Sequence, residues 1–581
     1  MPTILGITMS HHSSACLLRD GELVAAVAEE RLDRVKFSAA FPQRSIRWVL
    51  QAGAVNPTEI DLIAFGTKSE VFDSNRAQHK EYRWLTRLVQ AAARLLPFWF
   101  IGASVWRVLY VGLVGRYRKR RMLRDWGAFF DQLGIDRDKI VYYEHQPCHA
   151  ATAYYLKPWS GRTLVFTLDG QGDGLSATIS IGDGGALQRA VAISSIHSLG
   201  GLYAQTTRFL GMKPWQHEYK VMGLAPHADR KLAQSSADYF DRLYQVRGVR
   251  IVNRCGAVSG GLVRKFNREI PNQRFDSVAF GVQQVTERVL VEWVTNAIRH
   301  FGIDSIACAG GVFQNVKANQ KLSELPEVKR FFVFPAPGDE SISIGAALLG
   351  YVEVCRRQGI EPRFAPLKSM YLGPSHDQRF DAFAAGLDPQ RYRAEQHRDI
   401  HKVVADLLAS GEIVARCSGR MEFGPRALGN RSLLADPSNL LVVQRLNRMI
   451  KCRDFWMPFA PSMLDSAVAE YLENPRARAA PYMILTFDTK PESRHRIVAG
   501  THLGDHTTRP QILERDWNPG YYDLIQEFRE RTGIGAVLNT SFNLHGDPIV
   551  DSPEDALHVL EHSGLTHLAL GDWLITKLGG G

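Results

Sequence analysis

His145 and His149, in EHQPCHAATAYY, stand four residues apart, a spacing that on a helix turns both imidazoles to one face and towards a single ion. The pair lacks the glutamate of a metalloprotease HExxH, so any further ligands must come from elsewhere. Three aspartates can supply them: Asp169 at the end of TLVFTLD, Asp173 four residues on, and Asp339 in PAPGDE. Two imidazoles with carboxylates and open positions suit Fe(II), zinc or another divalent ion. Each aspartate also has a plainer use, Asp169 in a turn and Asp339 as the cap of a helix beginning ESIS. Their joint appearance at strand ends favours the metal. His11, in SHHSSACLL, follows the first strand and enters the same cleft if the chain is duplicated.

A second chemistry is written in the C-terminal half, where Arg420, Arg426, Arg431, Lys451, Arg453 and Arg509 recur in turns containing glycine, serine or proline. Guanidinium forks match phosphate oxygens in pairs and a lysine adds a movable point charge, so the set suits a triphosphate or an acyl phosphate. A solvated basic face is the plainer alternative. NTSFN at 539–543 shifts the balance, because Ser541 and Asn543 bring hydroxyl and amide donors directly after the strand GAVL.

These residues must be held by elements that the pattern also indicates. ILGIT, SACLLRD and ELVAAVAEE read as strand, turn, strand, turn, strand, and LVFTLDGQGDG, LSATISIGDGG and LQRAVAI repeat the plan. Two such units, each followed by helical sequence, are the plan of the actin and sugar-kinase type of fold, with its cleft between the copies. SIACAGGVFQN and FFVFPAPGDESISIGAA each run from a strand through a turn into a helix, the places where α/β folds put ligands. The proline-bearing EPRFAPLKSMYLGPSHD sets a boundary near residue 365, giving domains 1–365 and 366–581, the second also α/β.

Bulk properties narrow the class. A chain of 581 residues with 45% apolar and 22% charged residues implies at least two globular domains. Seven scattered cysteines without a CxxC pair argue against a structural zinc cluster. The N-terminus lacks a secretory pattern, which points to the cytoplasm. The net charge of +10 is dispersed through both halves, which suits phosphorylated small molecules as well as nucleic acid. LLPFWFIGASVWRVLYVGLVG at 95–115 approaches the length of a membrane span, but Pro97, its glycines and Arg107 argue instead for a packed helix or lid, an acceptor-pocket wall or a membrane-surface contact.

Taken together, HHSSACLLRDGELVAAVAEER, HQPCHAATAYY, LDGQGDG, SLGGLYAQTT, EYKVMGLAP, GGVFQN, PAPGDESISIGAA, GRMEFGPRALGNRSLLADP, RDFWMPFAPS and NTSFNLHGDPIV span nearly the whole chain in order. In these segments the sequence resembles the natural-product O-carbamoyltransferases (NodU/CmcH), the family acting on nodulation factors, cephems, aminoglycosides such as tobramycin, novobiocin and albicidin. The resemblance implies a duplicated actin/sugar-kinase-like N-terminal domain and a YrdC-like C-terminal α/β domain. It implies that the C-terminal site makes carbamoyl-adenylate from carbamoyl phosphate and ATP, with Mg accompanying ATP, and that the N-terminal cleft transfers the carbamoyl group to an acceptor hydroxyl. By position, His145, His149, Asp169 and Asp339 would be metal ligands with iron favoured, and His11 the transfer histidine, although His12 stands where the family more often has Asp. Arg426, Lys451, Arg509 and Ser541 match positions that handle ATP and carbamoyl phosphate, and Met457 replaces a frequent arginine, a contact that Arg453 could supply.

The acceptor is read more coarsely. Trp84, Phe98, Trp99, Phe100, Trp106 and Tyr110 suit a bulky aromatic scaffold, so an antibiotic with a phenol or alcohol is expected. No nucleic-acid partner and no stable membrane span are expected, and a homodimer is left open. Threonylcarbamoyl transfer to tRNA adenosine and a non-catalytic nucleotide-binding scaffold are the competing readings.

Overall fold

The computed structural model describes residues 2–68 and 115–579; the aromatic residues from Trp84 to Tyr110, and with them residues 95–114 of the apolar segment, lie outside the described residues. Strands β1 (Thr3–Thr8), β2 (Ser14–Arg19) and β3 (Glu22–Ala28) form an antiparallel meander. Its second turn is Asp20–Gly21, both at positive φ (49° and 80°), the backbone a two-residue hairpin needs to match strand twist. β4 (Leu62–Phe65) and β5 (Ile140–Tyr142) add in parallel, giving the order β3-β2-β1-β4-β5.

The same plan then recurs. β6 (Thr163–Gly172), β7 (Leu175–Asp183) and β8 (Ala186–Ser194) form a meander turned at Asp173–Gly174 and Gly184–Gly185, all four at positive φ. After a small ribbon of β9 (Tyr244–Arg247) and β10 (Arg250–Asn253), β11 (Ser305–Ala309) and β12 (Arg330–Val333) add in parallel to β6. The order β8-β7-β6-β11-β12 repeats the first sheet strand for strand, so the duplication expected from the sequence is present.

The two copies exchange their last helices. His145–Tyr155, which follows β5, packs on the sheet of the second copy, and Ile342–Gln358, which follows β12, packs on the sheet of the first. Glycine permits both seatings: a Cβ on Gly182 would stand 2.0 Å from the Tyr154 ring, and one on Gly6 would stand 2.0 Å from the Ser343 carbonyl oxygen. The helices also touch each other, since a Cβ on Gly345 would lie 2.0 Å from the Cys148 carbonyl oxygen. His145–Tyr155 is buried on nearly all sides, which explains why its sequence is rich in Ala and Cys rather than amphipathic.

Residues 360–368 carry neither helix nor strand, and we propose the domain division near residue 365 within them. Beyond lies an eight-stranded mixed sheet that includes β13 (Tyr392–Gln396), β14 (Val414–Cys417), β15 (Arg431–Ala435) and β16 (Ala460–Leu464). Three short strands, β17 (Leu472–Glu473), β18 (Phe487–Thr489) and β19 (Thr507–Thr508), form a separate sheet. β20 (Gln511–Leu513), β21 (Ala536–Ser541), β22 (His567–Leu570) and β23 (Trp573–Lys577) complete the order β13-β23-β22-β14-β15-β21-β16-β20. Side chains alternate along β14: Val414 enters the apolar cluster that holds Val404 and Leu524, while Ala415 and Cys417 enter the one that holds Leu446 and Ile450. None of the cysteines is disulfide-bonded, and among the described residues no helix is long and apolar enough to cross a membrane.

Candidate active site

The first turn of His145–Tyr155 brings both imidazoles to one side. His145 Nε2 and His149 Nε2 lie 3.0 and 3.1 Å from the same oxygen of Asp169, 3.2 Å from each other, and each 3.6 Å from Asp339 Oδ1. One ligand atom from each of the four residues falls within 4.8 Å of the others. Asp169 leaves β6 at its bulge, and Asp339 opens the short turn before Ile342–Gln358. Glycines again make the room, since a Cβ on Gly172 would stand 2.1 Å from the His145 ring.

Burial alone would raise the Asp169 carboxyl, but hydrogen bonds with His145 and His149 hold it well below the usual carboxylate range. Burial lowers His149, yet Asp169 and Asp339 overcome this and raise it. The carboxylates thus pull positive charge into a buried space ringed by two nitrogens and two oxygens. That donor set fits a divalent cation, whose charge the two carboxylates would balance. His149 Nδ1, on the far side of its ring, is buried without a hydrogen-bond partner.

Two adjacent histidines in the β1–β2 connection face two adjacent acids. His11 Nδ1 is 3.4 Å from Asp339 Oδ2, and His12 Nδ1 is 3.4 Å from Glu340 Oε2. His11 is 43% exposed, whereas His12 is the more enclosed, against Phe37. Desolvation by the surrounding protein lowers His11, with Asp339 opposing it. Glu340 is buried and neither carboxylate oxygen accepts a hydrogen bond. Beside the cluster stands Trp215, 45% exposed, its indole against Gly170 where a Cβ would meet a ring carbon at 2.2 Å. Its φ of 69° is a conformation rare for a bulky residue.

The cations of the C-terminal half separate into two kinds. Lys451 ends a π-helical turn, Asn447–Lys451, and its Nζ donates to the Ser541 carbonyl, to Ser541 Oγ and to Asn543 Oδ1 (2.9 Å). Arg453 reaches Thr540 Oγ1 at 3.0 Å and lies over the Phe459 ring. Burial lowers Lys451 well below its ordinary value and Arg453 to about 10, and neighbouring guanidinium charges add to the effect. Arg509 is lowered by burial and then by Arg426 and Arg453, so the three guanidinium groups act on one another. Arg426 Nε is buried without an acceptor, and Glu340 of the first cluster acts on that guanidinium electrostatically. Three half-buried, mutually repelling guanidinium groups, one with an idle donor, make an arrangement that suits phosphate oxygens.

Residues 3–348 match the family described as Carbamoyltransferase N-terminus, and residues 405–577 match Carbamoyltransferase C-terminus. The chain belongs to the carbamoyltransferase family. It is similar to nodulation protein NolNO of Sinorhizobium fredii, 32% identical over 98% of this chain and 79% of that protein. Nodulation protein NolO of Bradyrhizobium diazoefficiens is 34% identical over 74% of this chain and 78% of that protein. Among solved structures, full-length HypF in a phosphate- and nucleotide-bound form aligns with 11% identity and a TM-score of 0.31, over 61% of this chain and 56% of that one.

In this carbamoyltransferase the structure brings His145, His149, Asp169, Asp339 and His11 together, and groups Arg426, Lys451, Arg453, Arg509, Ser541 and Asn543 in the other half. Asp173 does not join the four-residue group; its carboxylate accepts the His145 backbone N–H at 2.9 Å and so anchors the start of that helix. Arg420 and Arg431 stand apart from the other cations. Arg420 donates to the carbonyls of Gly373, Leu372 and Val24, and fully buried Arg431 donates to those of Asp551, Ser418 and Gly419. Ser541 and Asn543 turn acceptors to Lys451, while the Asn543 amide donates to Leu544 and Asp547 carbonyls. Met457 packs its sulfur towards Gly223, on the helix Glu218–Leu224 of the first half. Glu340 and Trp215 were not found from the sequence; a second acid after Asp339 and a tryptophan before EYKVMGLAP were the only local signs.

Proposed function

We propose that this carbamoyltransferase uses ATP and carbamoyl phosphate to form carbamoyl-adenylate in its C-terminal half, and transfers the carbamoyl group to a hydroxyl of a small natural product in its N-terminal cleft. The observation that carries the reading is the Arg426, Arg453 and Arg509 set, half-buried, with no ion pair among the described residues and with an orphaned donor on Arg426. Mass balance sets the steps: one water releases orthophosphate from carbamoyl phosphate, the resulting carbamate oxygen attacks the α-phosphorus of ATP, and pyrophosphate leaves. The acceptor oxygen then attacks the carbamoyl carbon and AMP leaves.

The guanidinium groups neutralise charge gathering on the phosphates, and Lys451, fixed by Ser541 and Asn543, adds a point charge at the same place. His11, partly exposed beside Asp339, would take the acceptor proton. A divalent ion, iron in our reading, held by His145, His149, Asp169 and Asp339 would supply Lewis-acid polarisation of the carbonyl. Trp215 offers the acceptor a flat face. An antibiotic remains the acceptor we propose, now on Trp215 rather than on the segment from Trp84 to Tyr110.

The test is pyrophosphate release from the purified full chain. Release should require ATP and carbamoyl phosphate together, and Arg426→Ala should slow it by about a hundredfold, the usual scale for losing one transition-state donor. Release from ATP alone, or an Arg426→Ala variant as fast as the parent, would sink the adenylation mechanism.

A further inference from the structure

The C-terminal sheet has a second ligand-like feature, on the face opposite Lys451. A cavity of about 240 Å³ lies there, lined among others by His401, Arg416, Asn430, Asn518, Gly520 and Asp572. Arg416 projects from β14 to the side of Val404 and Leu524, whereas the turn ending in Lys451 packs through Ile450 on the other side. Arg416 is 6% exposed, and among the described residues it forms no ion pair. Its Nη1 donates to the Gly429 carbonyl at 2.6 Å and to Asn430 Oδ1 at 3.0 Å, while Nε and Nη2 donate to no described residue. Glu422, which acts on it electrostatically, already accepts the backbone N–H groups of Leu428 and Asn430.

A buried guanidinium that rests on the Tyr521 ring but forms no ion pair and leaves two nitrogens unmatched is costly, and an anion in the cavity would relieve it. Two helices open on the same space: Ile400–Ala409 and Pro519–Thr532 both present their first residues, adding the positive ends of their dipoles. Asp572, on the exposed side of the lining, keeps the entrance from being uniformly basic. The volume lies below the ~300 Å³ at which drug-sized pockets begin, which suits a small metabolite.

We propose that this cavity is a binding site for the anionic head group, phosphate or carboxylate, of a small metabolite, separate from the cationic site around Lys451. Ser418, Gly419 and Asn430 of its lining are the two ends of the loop that carries Arg426, so an occupant grips that loop at its root.

Calorimetric titration of the full chain carrying Lys451→Ala and Arg426→Ala, which removes phosphate contacts on the other face, tests the site independently of catalysis. Orthophosphate, acetate and glycine are titrated separately. One saturable site per chain is expected for at least one of them, weakened by about tenfold or more in Arg416→Met, as loss of a charge-assisted contact requires. Gly520→Val keeps Arg416 but directs its Cβ to 3.1 Å from His401 Nε2 and 3.8 Å from Arg416 Nη2, and should abolish binding by filling the space. Preference for orthophosphate identifies a phosphate head group, preference for acetate a carboxylate, and preference for glycine a carboxylate whose ammonium group meets Asp572. No saturable binding of any of the three, or binding that Gly520→Val leaves unchanged, overturns the proposal.

Discussion

Single residues already divide the labour of this carbamoyltransferase. His145→Ala or His149→Ala is expected to empty the chain of its divalent metal, read by elemental analysis, and to abolish acceptor carbamoylation while pyrophosphate release continues. Metal retained at parental stoichiometry in both variants would defeat the ligand assignment. Lys451 gives a pH prediction. Burial lowers its pKa below the ordinary 10.5, so the free site begins losing this charge at a lower pH than a surface lysine would. Phosphate in the site favours the charged form, so binding takes up protons, and affinity falls as pH rises through the lowered value. Calorimetry in buffers of different ionisation enthalpy should show net proton uptake, and Lys451→Ala should remove that part. The residue types were legible because the chemistry needs few kinds: two histidines on one helical face, and aspartates at strand ends. Arg420, Arg426 and Arg431 could not be told apart in the sequence, being one residue type within one loop. Only the folded chain shows two bound to carbonyls and the third with an idle donor.

At the scale of elements, the His145, His149, Asp169 and Asp339 cluster depends on two helices approaching until backbone meets backbone. Gly345→Val should therefore destabilise the protein by about 1–3 kcal/mol through overpacking against Cys148, read from the denaturation midpoint. It should also lower metal content, because it moves the helix behind Asp339 away from the helix of His145 and His149. A variant as stable as the parent, with full metal, would show that this contact is not what sets the ligand spacing. The hairpins were legible, since Asp-Gly and Gly-Gly pairs permit the positive φ that tight turns require. The exchange of helices between sheets was not, because a run of small buried residues says that a helix is enclosed without saying by which sheet.

Across the whole molecule, the halves meet along a seam between the helix Glu218–Leu224 and residues 454–502. Trp456 donates its indole N–H to the Lys220 carbonyl, the Lys220 ammonium pairs with Asp454 at 2.9 Å, and His502 Nε2 contacts the Gly223 carbonyl at 2.8 Å. Trp456→Ala should leave pyrophosphate release nearly unchanged but lower the carbamoylated product formed per pyrophosphate, as the reactive adenylate escapes to water. An unaltered ratio would mean that this seam does not guide transfer. Sequence order alone could place both halves in one chain but not this seam, because its partners are more than two hundred residues apart. The repeated sheets carry one last implication, about ancestry. His11 follows β1 and Asp169 lies towards the end of β6, the strand that corresponds to β1, while His145 and Asp339 stand at corresponding helix starts after β5 and β12. One copy thus contributes imidazoles and the other carboxylates. A single ancestral unit paired with its own twin would have offered like groups at like positions, so the present mixed cluster arose by divergence after duplication.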